Sequence, residues 1–472
     1  MQAQHIKSLI YSCLTLGILM AGTGCSKFLE PDYKTNVTTD VIFSSDGNAQ
    51  AAINGVYATM ANNQTTNGEI TRSTGMAADE LSYYTASIVY DQFASNNLLV
   101  NNDNLNTFWV HFYSVIYQSN SIIENAGASS GLSAAFQKQI IGEAYFLRAF
   151  SHFYLVNLFG PVPLITTIEK NVTLYAPRAS EADVYTQIKA DLVMAMNNLP
   201  ADYTISGGKR TRANKWAAAA LLARVYLYTK DWANAEAMAT QVLANTGLYK
   251  IQATADINKA FQNGNSESIL ELDRTPFSNY TNEGSAFVTT IGTAAILRYP
   301  MNTELVSSFE SGDLRKTNWI LQGASVSTPS KYKLNAAPAT AALGENYLLL
   351  RVAELYLIRA EAKVQQDNFT GGADDINVIR NRAGLKNSTT MTDRASSMLA
   401  IENERRHELF CEWGHRWFDL KRWPGLTAGN KTRADDILGK LKAGWKTTAT
   451  LFPIPQIPRS NNPNLTQNDG YN

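Results

Sequence analysis

The sequence predicts a mainly α-helical protein in which tetratricopeptide-like helical repeats form a scaffold carrying long inserted loops and an irregular ligand-binding lobe. Three observations predict it. Apolar residues recur near a helical period over long stretches, three of these stretches resemble one another around an arginine, and each is followed by a turn and a second helical stretch. The segment from Leu132 to Leu158 contains SAAFQKQIIGEAYFLRAFSHFYLVNL, with Phe136, Ile140, Tyr145, Leu147, Phe150 and Tyr154 at near-helical spacing, and Gly160-Pro161 ends it.

Two later segments repeat this pattern: AAAALLARVYLYTK (217–230) and VAELYLIRAEAKVQ (352–365). Aligned on Arg148, Arg224 and Arg359, each has two apolar residues before the arginine, and Glu143 and Glu354 each stand five positions before theirs. The second helices are predicted at 181–199, 231–245 and 371–384, with the small residues Ala233, Ala235, Ala237 and Ala239 allowing close approach. The Arg224 to Arg359 interval of 135 residues far exceeds a regular 34-residue repeat, so the repeats are split by insertions. Between about 247 and 345 the helical pattern gives way to Gly, Ser, Thr, Asn and aromatics, which places the irregular lobe there.

At the N-terminus, His5 and Lys7 precede an apolar run from Leu9 to Met20, too short to span a bilayer, and small residues 21–24 follow. Residues 1–24 therefore read as an export signal. Cys25 comes next and begins a polar tail, 25–44, before the main body, 45–472, which we expect to form one helical domain. This start resembles a bacterial lipoprotein signal with Cys25 as the lipidated residue; an ordinary secretory signal cleaved nearby is the alternative. Cysteine usage favours lipidation: of three cysteines, Cys13 lies in the signal, so a mature body holding only Cys411 forms no internal disulfide. Acyl chains, at about 0.8 kcal/mol per buried methylene, would then tether the chain to a membrane.

Lys plus Arg equals Asp plus Glu, 41 each, and no long basic run is present, which argues against nucleic-acid partners. The densest concentration of reactive side chains is CEWGHRWFDLKRW, Cys411 to Trp423, preceded by the charged IENERRHELF. His407 and His415 are eight residues apart with Gly414 between them, which does not fit an HExxH zinc site. Cys411 between Phe410 and Glu412 suits a buried small residue better than a nucleophile. Glu408, Glu412 and Asp419 supply carboxylates, but spacing alone cannot pair them as a glycosidase requires. A structural Arg–Glu network dressed by Trp413, Trp417 and Trp423 accounts for the segment better. We expect no metal and no cofactor.

Four segments, EAYFLRAFSHFYLVNLFGPVPLI, YLLLRVAELYLIRAEA, ERRHELFCEWGHRWFDLKRW and LFPIPQIPRSNNPNLTQNDGY, resemble in order the signature segments of the SusD/RagB family of outer-membrane nutrient-binding lipoproteins. The resemblance implies a non-enzymatic, lipid-anchored binder facing the cell exterior. It also implies a SusC-like TonB-dependent β-barrel transporter as partner, to which the lipoprotein delivers nutrient as a hinged lid.

Sugar sites pair exposed aromatic rings with polar side chains. Two regions outside the repeat helices fit. ADELSYYTASIVYDQF offers Tyr83, Tyr84 and Tyr90 with Phe93 beside Asp79, Glu80, Asp91 and Gln92; LDRTPFSNYTNE offers Phe277 and Tyr280 with Asp273, Arg274 and Asn279, with Trp319 further on. The ligand-binding candidates are Tyr83, Tyr84, Tyr90, Asp91, Arg274, Phe277, Tyr280 and Trp319. By contrast, Trp109, Tyr113 and Tyr117 recur every four residues as a helix core stripe. A glycan is the expected ligand; a peptide nutrient in the same role, or a surface glycosidase, are the alternatives.

Overall fold

The computed structural model describes residues 39–274, 276, 278–288, 298–323, 325–338, 344–388 and 391–471. The export signal, Cys25 and most of the tail lie outside them, as does Phe277. The chain divides into Met1–Ile42, of which Thr39–Ile42 is a short helix, and Phe43–Asn472, described below.

The larger unit is built on helices that begin where capping side chains satisfy their free amides. Ser45 caps α1 (Asp46–Asn62), which is followed by α2 (Ile70–Ala77) and α3 (Ile88–Ser95). The stack proper runs through α4 (Asp103–Ala128), α5 (Ala134–Phe159), α6 (Glu181–Asn198), α7 (Lys215–Tyr228), α8 (Trp232–Leu243), α9 (Val352–Gln365) and α10 (Phe369–Arg382). Each helix packs on the next one in that order, and α11 (Arg394–Leu409) closes against α9 and α10. This is the repeat scaffold the sequence predicts, with all three second helices in place.

The repeated arginines are latches between helices. Arg148 on α5 makes a bidentate pair with Asp191 on α6, at 2.6 and 2.8 Å, and Arg359 on α9 pairs with Asp375 on α10 at 2.5 Å. Arg224 on α7 instead reaches Glu354 in the first turn of α9, at 2.6 Å, and so joins the second helix pair to the third. Glu143, the counterpart of Glu354, is bound by Arg212 ahead of α7. A buried bidentate pair of this kind fixes geometry more than it adds stability, because desolvation offsets much of the attraction.

Two expectations are corrected. Of the four alanines on α8, only Ala235 and Ala239 are buried while Ala233 and Ala237 are exposed: residues two apart cannot share one face of a helix. Tyr117 is 58% exposed although Trp109, on the same stripe, is buried, because α4 covers its partner helix with only part of that face.

The irregular lobe is closed at its base by two strands. β1 (Ser268–Leu272) pairs antiparallel with β2 (Tyr347–Arg351), setting Leu272 opposite Tyr347 and Ser268 opposite Arg351. Every residue of both strands is buried, which explains their nearly continuous apolar runs. Beyond them the chain makes short helices and a small hairpin, Ile320–Gln322 with Ser327–Pro329.

Candidate functional site

The charged segment around Glu402–Trp423 is part of a buried structural network. Arg351 on β2 binds Glu267 at 3.0 Å, Glu408 at 2.6 Å and Glu412 at 2.8 Å, and Glu408 is shared with Arg315 and Arg382. Arg405 pairs with Asp419, and Arg422 with Glu361 and Asp419. Glu408 is fully buried, yet its three arginine neighbours hold its carboxyl far below the usual range. Cys411 is buried and its thiol is pushed up by burial and then by Glu80, the opposite of an activated nucleophile. His407 faces Ser308 Oγ at 2.8 Å and stacks on Phe309, whereas His415 lies 4.0 Å from Glu354, so the two histidines do not serve one centre.

The backbone turns sharply here: Cys411, Trp413 and Gly414 all have φ between 50° and 78°. This lets the Trp413 amide reach Thr71 Oγ1 at 3.1 Å and the Cys411 amide reach Glu80 at 3.2 Å. The turn therefore anchors α2 and the segment after it. Asp79 is held by Arg416 and Arg406 as well; burial works against its charge, but these cations bring its pKa down to about 2. Asp79 and Glu80, beside the tyrosines in sequence, thus point inward.

From this anchor the chain runs outward with the tyrosines. Residues 80–84 lie antiparallel to 298–302: Ser82 N donates to Pro300 O at 2.8 Å, Tyr84 N to Arg298 O at 3.1 Å, and Asn302 N to Glu80 O at 2.8 Å. That pairing gathers four rings. Tyr83 stands 5.4 Å from Tyr84, 4.8 Å from Tyr90 and 5.2 Å from Tyr299, between ring centroids. Tyr84 is 49% exposed, which leaves the cluster open to solvent, and Ile88, at the start of α3, is 86% exposed.

Beneath the rings is a polar base. Tyr90 donates to Glu69 Oε2 at 3.1 Å, and the same carboxylate takes Arg72 Nη2 at 2.6 Å, Ser73 Oγ at 2.9 Å and Asn104 Nδ2 at 2.6 Å. Arg72 lies 5.8 Å from the Tyr299 ring. Burial, and for Tyr90 the Glu69 charge after it, pushes both phenols up, so both stay protonated donors near neutral pH. Gly68 has φ of 105°, and a Cβ there would come 2.9 Å from Arg72 Nη1, so the glycine is what lets Glu69 and Arg72 fold back under the rings.

Of the sequence candidates, Tyr83, Tyr84 and Tyr90 come together. Asp91 is exposed but accepts from the Ser87 amide at 2.9 Å, a helix-start role. Arg274 is buried and holds its own loop, donating to Tyr280 O at 3.2 Å, to Ser278 Oγ at 3.0 Å and to Ala61 O, which removes it from an open site. Tyr280 is half-buried in that loop. Trp319 is fully buried, 5.4 Å from Phe261 and beneath Lys331 and Arg382, so it is core and presents no face to a ligand. Tyr299, Glu69, Arg72 and Asn104 are brought to the cluster from distant parts of the chain, and no local sequence pattern marks them.

With this geometry in hand, comparison with known proteins is decisive for kinship. Residues 227–471 match the SusD family model, and residues 27–227 match a model described as starch-binding, associating with the outer membrane. The chain belongs to the SusD family. It is similar to a SusD-like protein of Bacteroides ovatus, 26% identical over 89% of this chain and 83% of that protein. Among solved structures it resembles a SusD superfamily protein from Bacteroides vulgatus, with TM-score 0.78, 22% identity and coverage of 90% of this chain and 99% of the other. It also resembles a laminarin-binding SusD-like protein, with TM-score 0.72, 24% identity and the same coverage. These SusD structures share its helical fold, and Arg351, Glu408 and Glu412 of the buried network lie in segments by which the sequence resembles the family.

Proposed function

We propose that this SusD-family chain is a non-catalytic glycan-binding lipoprotein. It is anchored at the outer membrane through lipid on Cys25 and faces the cell exterior. It captures oligo- or polysaccharide on the tyrosine face and delivers it to a SusC-like TonB-dependent transporter as its lid. The observation that carries the binding step is the open cluster of Tyr83, Tyr84, Tyr90 and Tyr299 over the Glu69–Arg72 base. Rings of this kind stack on the CH faces of sugars, while phenol, guanidinium and amide groups meet their hydroxyls. The laminarin-binding relative supports the ligand class, and the outer-membrane description of the matched model supports the location. The transporter role follows the family resemblance.

Affinity electrophoresis of the chain from Ser26 onward against laminarin, amylopectin, arabinoxylan and mucin glycans tests the binding step. The expected result is retardation on one glycan with no new reducing ends released from it. Release of reducing ends, abolished by replacing one carboxylate, would contradict the non-catalytic reading, and binding to peptides alone would move the ligand to another class. Palmitate incorporation lost in Cys25→Ser tests the anchor.

A further inference from the structure

A second groove, of about 410 Å³, opens between α1, the Ile205–Arg212 segment and the stretch at Asp273 and Pro276. None of the clustered tyrosines lines it, and its size falls within the range of small-ligand clefts, which begins at about 300 Å³. Three separate parts of the chain build it, and its base is fixed. Arg212 is 7% exposed and lies 5.0 Å from the Tyr57 ring; its Nη2 donates to Glu143 at 2.7 Å and its Nη1 to Asn54 Oδ1 at 2.7 Å. The Tyr57 hydroxyl in turn accepts the Ala213 amide at 3.0 Å.

The groove's chemistry is mixed and close to neutral. Glu143 neutralises Arg212, and the lining carries Lys209, Asp273, Asn54 and Ser206 together with the apolar Ala58 and Ile205. Donors and acceptors of both charge signs beside small apolar side chains suit an uncharged, hydroxyl-rich ring rather than an anion or a metal ion.

The groove is also connected to the tyrosine face. The segment that begins at Asp273 leads to Asn282, whose amide donates to Asn67 Oδ1 at 3.1 Å, and to Glu283, whose side chain abuts Gly68 beside Arg72. One end of this segment thus borders the groove and the other supports the base of the rings.

We propose that the groove is a second saccharide subsite, holding another unit of the same glycan that the tyrosine face captures; it rests on the glycan-binding reading. Two weak sites joined by one polymer raise its apparent affinity without changing that for a short fragment. The probe is whichever of laminarin, amylopectin, arabinoxylan and mucin glycans retards the wild-type chain, together with its trisaccharide. Ala58→Trp fills the groove from an exposed helix position, and the Ser206→Ala/Lys209→Ala double variant removes its rim without added bulk; unchanged thermal melts establish that both fold.

The expected result is that each variant weakens polysaccharide retardation fivefold or more and leaves trisaccharide binding to the tyrosine face unchanged by calorimetry. Polysaccharide retardation unchanged in both variants but lost in Tyr83→Ala/Tyr84→Ala would overturn the second subsite and leave the proposed function standing. A wild-type chain retarded by none of the probes would overturn both.

Discussion

The Tyr90 hydroxyl donates to Glu69 Oε2 at 3.1 Å, and this bond ties an open aromatic cluster to a buried polar base. Glu69 comes from a distorted helical turn and Tyr90 from a short surface helix, so the bond sets the angle of the ring. Tyr90→Phe keeps the ring and loses the bond. We expect a stability loss of about 1 kcal/mol in urea unfolding, with glycan binding weakened but present.

Tyr84 is the ring most open to solvent in the cluster. Replacing it with alanine removes a stacking contact worth about 1 kcal/mol, roughly fivefold in affinity, at little cost in stability since the side chain is half exposed. Calorimetry with the retained oligosaccharide beside a thermal melt separates the two effects.

Arg351 is predicted to act in the opposite way. Arg351→Met leaves Glu267, Glu408 and Glu412 buried with one fewer cation. Removing one partner of such a network costs about 3–5 kcal/mol, so the variant should unfold at much lower denaturant while any protein that remains folded binds normally.

Gly414→Ala tests the turn that anchors the tyrosine segment. Its φ is 78° and an added Cβ would meet Thr74 Oγ1 at 2.9 Å, so a loss of about 1–3 kcal/mol is expected in the same unfolding assay.

Glu80 gives a pH signature. Burial, and then the Asp79 charge, raises its carboxyl to about 8 from an ordinary 4.5. A carboxyl raised in the folded state contributes stability that is full below pH 4.5 and lost as pH rises toward 8, because only the unfolded chain ionises freely in that window. Glu80→Gln retains an acceptor for the Cys411 amide and does not ionise. Its melting temperature relative to wild type should therefore climb between pH 5 and 8 and level off outside that range; a constant difference would show that Glu80 is charged in the fold.

The scaffold was legible because α5, α7 and α9 carry helical apolar spacing and because Gly160-Pro161 and the polar turns end them locally. The partners of Arg148 and Arg359 lie on the helices that follow, but Arg224 crosses 130 residues to Glu354, which no local pattern announces. Tyr83, Tyr84 and Tyr90 were legible as a cluster since they sit on one short segment outside the repeats. Tyr299 was not, because its place beside them depends on the 80–84 and 298–302 pairing. Trp319 misled for the same reason in reverse: an aromatic in a Ser- and Asn-rich stretch reads as surface until Phe261, Lys331 and Arg382 close over it.

The most direct test of the central claim is affinity electrophoresis of Tyr83→Ala/Tyr84→Ala against the glycan that retards the wild-type chain. Retardation is expected to be lost while the variant still unfolds in one cooperative thermal transition. A double variant retarded as strongly as wild type would contradict that claim and place the glycan elsewhere on the protein.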